Sequence, residues 1–113
     1  MKFITIDELP GRVPPNHYDL VGRAVADKSV GVDSFHVGVT RMEKTGRCDP
    51  HVHEEADQIF IILKGAMMFV SDEGETPLKP GQAVIAYRGE VHSNYNIAEI
   101  ETEYLTVTSV PKV

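Results

Sequence analysis

Residues 46–53 read GRCDPHVH, and the chain is organised around them. The two histidines of this stretch, His51 and His53, are separated by a single residue. In an extended strand, side chains two positions apart point to the same face of the sheet. Two imidazoles that project from one face can converge on one point, and a divalent metal is the usual reason for such a pair. The stretch therefore predicts a metal centre carried by a β-strand.

A third histidine, His92, follows later in the chain inside its own glycine-punctuated segment. The other two, His17 and His36, are interpreted as isolated. His51, His53 and His92 are thus the candidate imidazole ligands, and Mn, Fe, Ni, Zn and Cu all accept such ligands. The sequence predicts one divalent transition metal, but the ligand set does not choose among these ions.

The length and composition indicate one small domain. The 113 residues suffice for one core over residues 1–113, and the net charge of −6 argues against a nucleic-acid partner. Residues 1–8 lack the apolar segment of a signal peptide, and no apolar run approaches the ~20 residues of a membrane span. The single cysteine, Cys48, fits a reducing compartment and is interpreted as an inert residue of the barrel. We expect a cytoplasmic protein without a membrane partner.

Turn signals recur every ~8–12 residues, and helical periodicity is short, which is the pattern of an all-β sandwich or barrel. A short strand at residues 3–6 and a connecting arm are expected within residues 1–16. A turn is predicted at residues 43–46 and a tight hairpin at residues 64–65. The remaining predicted strands are 18–26, 35–42, 58–64, 66–70, 83–87, 93–97 and 102–110. A small antiparallel β-barrel accounts for this pattern.

Two segments together resemble the paired motifs of the cupin superfamily. The first motif is glycine, five residues, His-x-His, three or four residues, an acid, six residues and glycine. Here four residues rather than five lie between Gly46 and His51, and Gly65 closes the motif. Counted back from Gly65, the acidic position falls on Gln58.

The second motif is glycine, five residues, Pro-x-Gly, two residues, histidine, three residues and asparagine. Gly81, Gly89, His92 and Asn96 match this spacing, while Tyr87 replaces the proline. The two motifs cover residues 46–96. The resemblance implies an all-β, single-domain cupin jelly-roll β-barrel, antiparallel, with a metal at its centre. The ligands that it implies are His51, His53, Gln58 and His92.

The fourth ligand is open between Gln58 and Asp57. Asp57 also lies at a permitted spacing, and a carboxylate is the better cation ligand. The register counted from Gly65 favours Gln58, because a one-residue slip turns every side chain to the opposite face. Three imidazoles and one amide leave a divalent site at +2, which raises its Lewis acidity and favours an anionic small-molecule substrate.

The expected function is that of a metal-dependent enzyme of isomerase or lyase type, acting on a small polar substrate. The alternatives are a cupin dioxygenase and a non-catalytic cupin that binds a small molecule. Tyr87, as a proton-donating phenol, and His36, as an acid or base, are the candidate catalytic residues. For both, a packed or exposed side chain is the competing interpretation. By analogy with small cupins, we expect a homodimer formed through the amino-terminal arm.

Overall fold

Eight antiparallel strands form a nearly closed β-barrel in the computed structural model, which describes residues 1–110. The all-β jelly-roll prediction is confirmed. Two 3₁₀ turns, Ile6–Glu8 and Lys28–Val30, accompany the strands. Within residues 1–110, no helix is long and apolar enough to cross a membrane. The strands are β1 (His17–Ala26), β2 (Phe35–His51), β3 (Gln58–Lys64), β4 (Met67–Ser71), β5 (Gly74–Leu78), β6 (Ala83–Ala86), β7 (His92–Asn96) and β8 (Thr102–Ser109).

Strand β2 joins the two halves of the barrel. The strand order is β5-β4-β7-β2-β8-β3-β6, and β1 also pairs with β2. Residues 35–42 of β2 pair with β8, whereas residues 47–51 pair with β7. Cross-strand partners share a face, so the alternating side chains of both halves enclose one apolar core. This core consists of Leu20, Met42, Phe60, Ile62, Met67, Phe69, Leu78, Ala86 and Tyr104.

The turn predicted at residues 43–46 is wrong, because these residues continue β2. The pairing of β1 with β2 shifts register at this point, as in a β-bulge. Gly46 is required there, since a Cβ would lie 2.7 Å from the Cβ of Met42 and 2.9 Å from the carbonyl oxygen of Asp19. The glycine that signalled a turn instead permits a close approach of two strands.

The hairpin predicted at residues 64–65 is also wrong. Strand β3 pairs with β6 and β8, and β4 pairs with β5 and β7, so the chain crosses between the two halves at Gly65. The predicted face of Gln58 is nevertheless correct, because Gln58 lies on the same face of β3 as the buried residues Phe60 and Ile62. Strand β5 was not predicted, since its sequence, GETPL, has the composition of a loop and becomes a strand by pairing with β4.

The strand predicted at residues 3–6 does not form within the described chain. β-Branched residues favour a strand only where a neighbouring strand supplies hydrogen bonds. Phe3 is 87% exposed, and the 3₁₀ turn that follows places the Asp7 carboxylate 2.6 Å from the Arg41 guanidinium. The arm meets β1 further along, where the Arg12 N–H donates to the Gly22 carbonyl at 2.8 Å.

Candidate metal centre

Three histidine side chains meet inside the barrel. His51 and His92 are cross-strand partners on β2 and β7, and His53 lies two residues beyond the end of β2. The ring centroids are 4.4 Å apart for His51 and His92, 5.2 Å for His51 and His53, and 5.7 Å for His53 and His92. One ligand nitrogen of each ring lies within 4.8 Å of the other two. Three imidazoles at this spacing can bind one divalent cation through bonds of about 2.0–2.1 Å.

Backbone carbonyls orient two of the three rings. His51 Nδ1 donates to the Asp49 carbonyl at 2.9 Å, and His92 Nδ1 donates to the Glu90 carbonyl at 3.2 Å. Because a carbonyl oxygen only accepts, the hydrogen lies on Nδ1 and leaves Nε2 of the neutral ring free to bind a metal. In residues 1–110, the buried His92 Nε2 has no hydrogen-bond partner. The residues present therefore fit a metal ion.

Burial lowers the pKa of two histidines in this cluster. Desolvation is the main cause that lowers the pKa of His92 to about 4, and the neighbouring His51 lowers it further. Burial likewise lowers the pKa of His53, followed by the effects of His51 and His17. A neutral imidazole binds a metal and an imidazolium does not, so both shifts favour metal binding at neutral pH.

Gln58 lines a cavity of about 250 Å³ together with His51 and His53. Its Nε2 donates to Thr108 Oγ1 at 3.0 Å, which fixes the amide plane. Its Oε1 is buried and has no hydrogen-bond partner among the described residues. A buried acceptor without a partner costs roughly 1–3 kcal/mol. A bound cation is one means of satisfying this oxygen.

Asp57, the other candidate for the fourth ligand, is engaged by Arg88. Its carboxylate accepts from the Arg88 backbone N–H at 2.9 Å and from the guanidinium at 3.1 Å. These hydrogen bonds hold the pKa of Asp57 below its ordinary value. The same turn also contacts a ligand loop, since the Gly89 N–H donates to the His53 carbonyl at 2.9 Å. Asp57 thus fastens the loop between β2 and β3 to the turn between β6 and β7.

The sequence match agrees with this architecture. The family model of the cupin domain matches residues 38–108, which is more than half of the chain. The chain belongs to the cupin family. Among curated proteins, none matches this cupin by sequence.

Solved structures give the same fold. The polyketide cyclase RemF from Streptomyces resistomycificus superposes with a TM-score of 0.87 at 25% identity, covering 96% of this chain and 79% of that one. KdgF from Halomonas sp. gives a TM-score of 0.81 at 21% identity, covering 98% and 96%. A cupin sugar phosphate isomerase from Silicibacter pomeroyi gives 0.80 at 21% identity, covering 96% and 75%.

The two predicted catalytic residues do not line the cavity that His51 and His53 share, as far as residues 1–110 define it. Tyr87 follows β6 with a side chain that is 59% exposed, and its backbone N–H binds the Glu90 carboxylate at 2.8 Å. His36 is exposed and lines a different cavity, of about 380 Å³.

Cys48 is buried in the wall of this cupin, on β2. Burial is the main cause that raises the pKa of its thiol, and the adjacent Asp49 carboxylate raises it further. The thiol is therefore protonated at neutral pH, and it has the character of an inert barrel cysteine.

Among the residues that line the cavity, sequence reasoning missed His17 and Asn94. His17, interpreted as isolated, has its ring centroid 5.6 Å from that of His51. Asn94 is 2% exposed. His17 lies opposite Cys48 on β2, and Cys48 lies opposite Asn94 on β7. No local pattern signals either residue, because only the pairing of distant strands brings them to the histidines.

Proposed function

We propose that this cupin is an enzyme that binds one divalent transition metal through His51, His53, His92 and Gln58. The observation that carries this function is the convergence of three histidines, where His92 Nε2 and Gln58 Oε1 are buried acceptors without a hydrogen-bond partner in residues 1–110. Gln58 is preferred to Asp57 because Gln58 lines the histidine cavity, whereas the Asp57 carboxylate is paired with Arg88.

A neutral ligand set favours Lewis-acid chemistry. Three imidazoles and one amide leave the full charge of a divalent cation uncompensated, whereas a carboxylate ligand would remove one unit. When bound, the metal polarises a carbonyl, enolate or carboxylate oxygen of the substrate. The uncompensated charge favours an anionic substrate, and the reaction type that suits it is isomerisation or elimination.

The cavity sets the size of the substrate. Its volume of about 250 Å³ lies just below the usual range of ligand pockets, about 300–1,000 Å³. Phe60 and Tyr104, both buried, form apolar parts of the wall. Burial raises the pKa of the Tyr104 phenol, which stays protonated. These features support a substrate of a few heavy atoms.

Two similar structures bear names that agree with this chemistry in kind, a polyketide cyclase and a sugar phosphate isomerase. Neither name refers to oxidation. At 25% and 21% identity, they support the reaction class but do not identify a substrate.

Proton exchange at a carbon next to a carbonyl tests the proposed function directly. Metal-loaded protein is incubated in D₂O with dihydroxyacetone, and deuterium incorporation is followed by NMR. We expect incorporation above the rate of free metal, and its loss in His53→Ala. Oxygen uptake with a diketone or catechol would support the dioxygenase instead. Binding without exchange or oxygen uptake would support a non-catalytic small-molecule-binding cupin.

A further inference from the structure

We propose that His17 and Asn94 together bind a hydroxyl group of the substrate, and so select compounds that carry a hydroxyl next to the oxygen held by the metal. The substrate class is then a small α-hydroxy acid or hydroxy ketone. This role rests on the proposed function, because the metal supplies the first anchor of the ligand. We refer to His17 and Asn94 as the hydroxyl pair.

The strand register places the hydroxyl pair beside the histidine cluster. His17 on β1, Cys48 on β2 and Asn94 on β7 lie in one row across three neighbouring strands. His51 and His92 form the adjacent pairing on β2 and β7. The hydroxyl pair lines the same cavity as His51 and His53. A ligand held by the histidine centre would therefore contact both members of the pair.

Both members line this cavity, and each carries a hydrogen-bond acceptor. His17 Nδ1 donates to the Pro15 carbonyl at 2.8 Å, which leaves Nε2 of the neutral ring as an acceptor. Asn94 Oδ1 is buried, and within the described chain it has no hydrogen-bond partner. An acceptor is satisfied only by a donor, so the complementary ligand group is a hydroxyl rather than an ether or a methyl group.

The arrangement discriminates because Asn94 is buried. A ligand without a donor at this position leaves Asn94 Oδ1 and His17 Nε2 unpaired, and sites that lose a buried hydrogen bond reject the ligand. Each lost hydrogen bond is expected to weaken binding by about five- to tenfold. A metal can also favour a hydroxyl by chelation, so the contribution of the hydroxyl pair is the part of the preference that depends on His17 and Asn94.

Three matched probes test the hydroxyl pair in the full-length chain loaded with Co²⁺. Glycolate carries a hydroxyl beside its carboxylate, methoxyacetate carries an ether there, and acetate carries neither. Their dissociation constants follow from changes in the visible Co²⁺ absorption. We expect wild-type protein to bind glycolate at least about tenfold more tightly than methoxyacetate.

Variants decide the outcome, since glycolate can also chelate the metal through its hydroxyl. In His17→Phe, the dissociation constant of methoxyacetate divided by that of glycolate should fall about fivefold. The affinities for Co²⁺ and for acetate should stay within about twofold of the wild-type values. Tyr18→Phe is the matched control, because Tyr18 Oη donates to Asp49 and the side chain is exposed, and it should retain the wild-type ratio. Asn94→Leu should act like His17→Phe if it folds, as checked by its melting curve.

Three results would overturn the assignment. If the ratio of the two dissociation constants is unchanged in His17→Phe, the metal alone produces the preference for glycolate. A loss of Co²⁺ affinity in His17→Phe as large as in His53→Ala would make His17 a metal ligand. A wild-type protein that binds no Co²⁺ would contradict the proposed function as well, and that failure differs visibly from the loss of hydroxyl preference alone.

Discussion

His51 on β2 and His92 on β7 lie directly opposite each other, with ring centroids 4.4 Å apart. This pairing depends on a register shift between Cys48 and His51, because the register of Cys48 with Asn94 would otherwise place Val91 opposite His51. Pro50 lies within the shifted segment and has no N–H to contribute to a regular ladder. We therefore attribute the β-bulge that aligns the two imidazoles to the Asp49-Pro50 sequence.

The fourth ligand position can be tested by changing its charge. Gln58→Glu should tighten divalent-metal binding, because it adds a carboxylate beside three neutral imidazoles, whereas Gln58→Leu should weaken it by about tenfold or more. Asp57→Asn is the matched control and should change metal affinity by less than about twofold, since its side chain pairs with Arg88. Isothermal titration with Zn²⁺ measures all three. If Asp57→Asn proves the most damaging, the ligand assignment is wrong.

The Asp57–Arg88 contact should make a pH-dependent contribution to stability. Hydrogen bonds from Arg88 lower the pKa of Asp57 from its ordinary value of 3.8. A depressed carboxyl pKa stabilises the folded state above the unfolded pKa, and that contribution is lost as the pH falls through the folded pKa. In urea unfolding, the free energies of unfolding of wild type and Arg88→Gln should therefore differ at about pH 6 and converge as the pH falls through the folded pKa of Asp57. A difference that persists below that pKa would contradict the assignment.

Cys48 should react slowly in the folded protein. Burial raises its pKa and shields the sulfur, so little thiolate forms at pH 8. Alkylation by iodoacetamide, followed by mass spectrometry, should be at least about tenfold slower in native than in guanidinium-unfolded protein. Equal rates would show that the thiol is exposed and reactive.

Gly65 should tolerate no side chain. Its φ is +83°, and an added Cβ would lie 2.8 Å from the Cα of Thr102. Gly65→Ala should therefore lower the free energy of unfolding by more than about 2 kcal/mol. Gly81→Ala is the control, since Gly81 has φ +86° but no atom of residues 1–110 within 4 Å of its Cβ position, and about 1 kcal/mol is expected. Equal losses in urea unfolding would show that backbone strain alone matters at Gly65.

The sequence predicted the histidine cluster but not the residues that surround it. His51, His53 and His92 were identified because their spacing and the flanking glycines are local patterns. Gln58 was placed on the correct face because alternation within β3 is also local. The bulge at residues 43–46 and the crossing at Gly65 were misread, because a glycine signals a tight approach in the same way as it signals a turn.

The hydroxyl pair lay beyond local patterns altogether. His17 and Asn94 become neighbours of the histidines only through the pairing of β1 and β7 with β2. Tyr87 is a different case, since its place in a motif suggested a role and its side chain is 59% exposed. Contacts between distant strands are set by the closure of the barrel, and no short stretch of sequence records them.

The most direct test of the metal centre is a calorimetric titration of metal-free protein with Co²⁺. We expect one equivalent to bind, and a saturating excess of about 100 times Kd to stabilise the fold by about 2.7 kcal/mol. His92→Ala should lose at least about a hundredfold in affinity, whereas His36→Ala, in its separate cavity, should match wild type. Absence of binding, or equal affinity in His92→Ala and wild type, would contradict the metal centre.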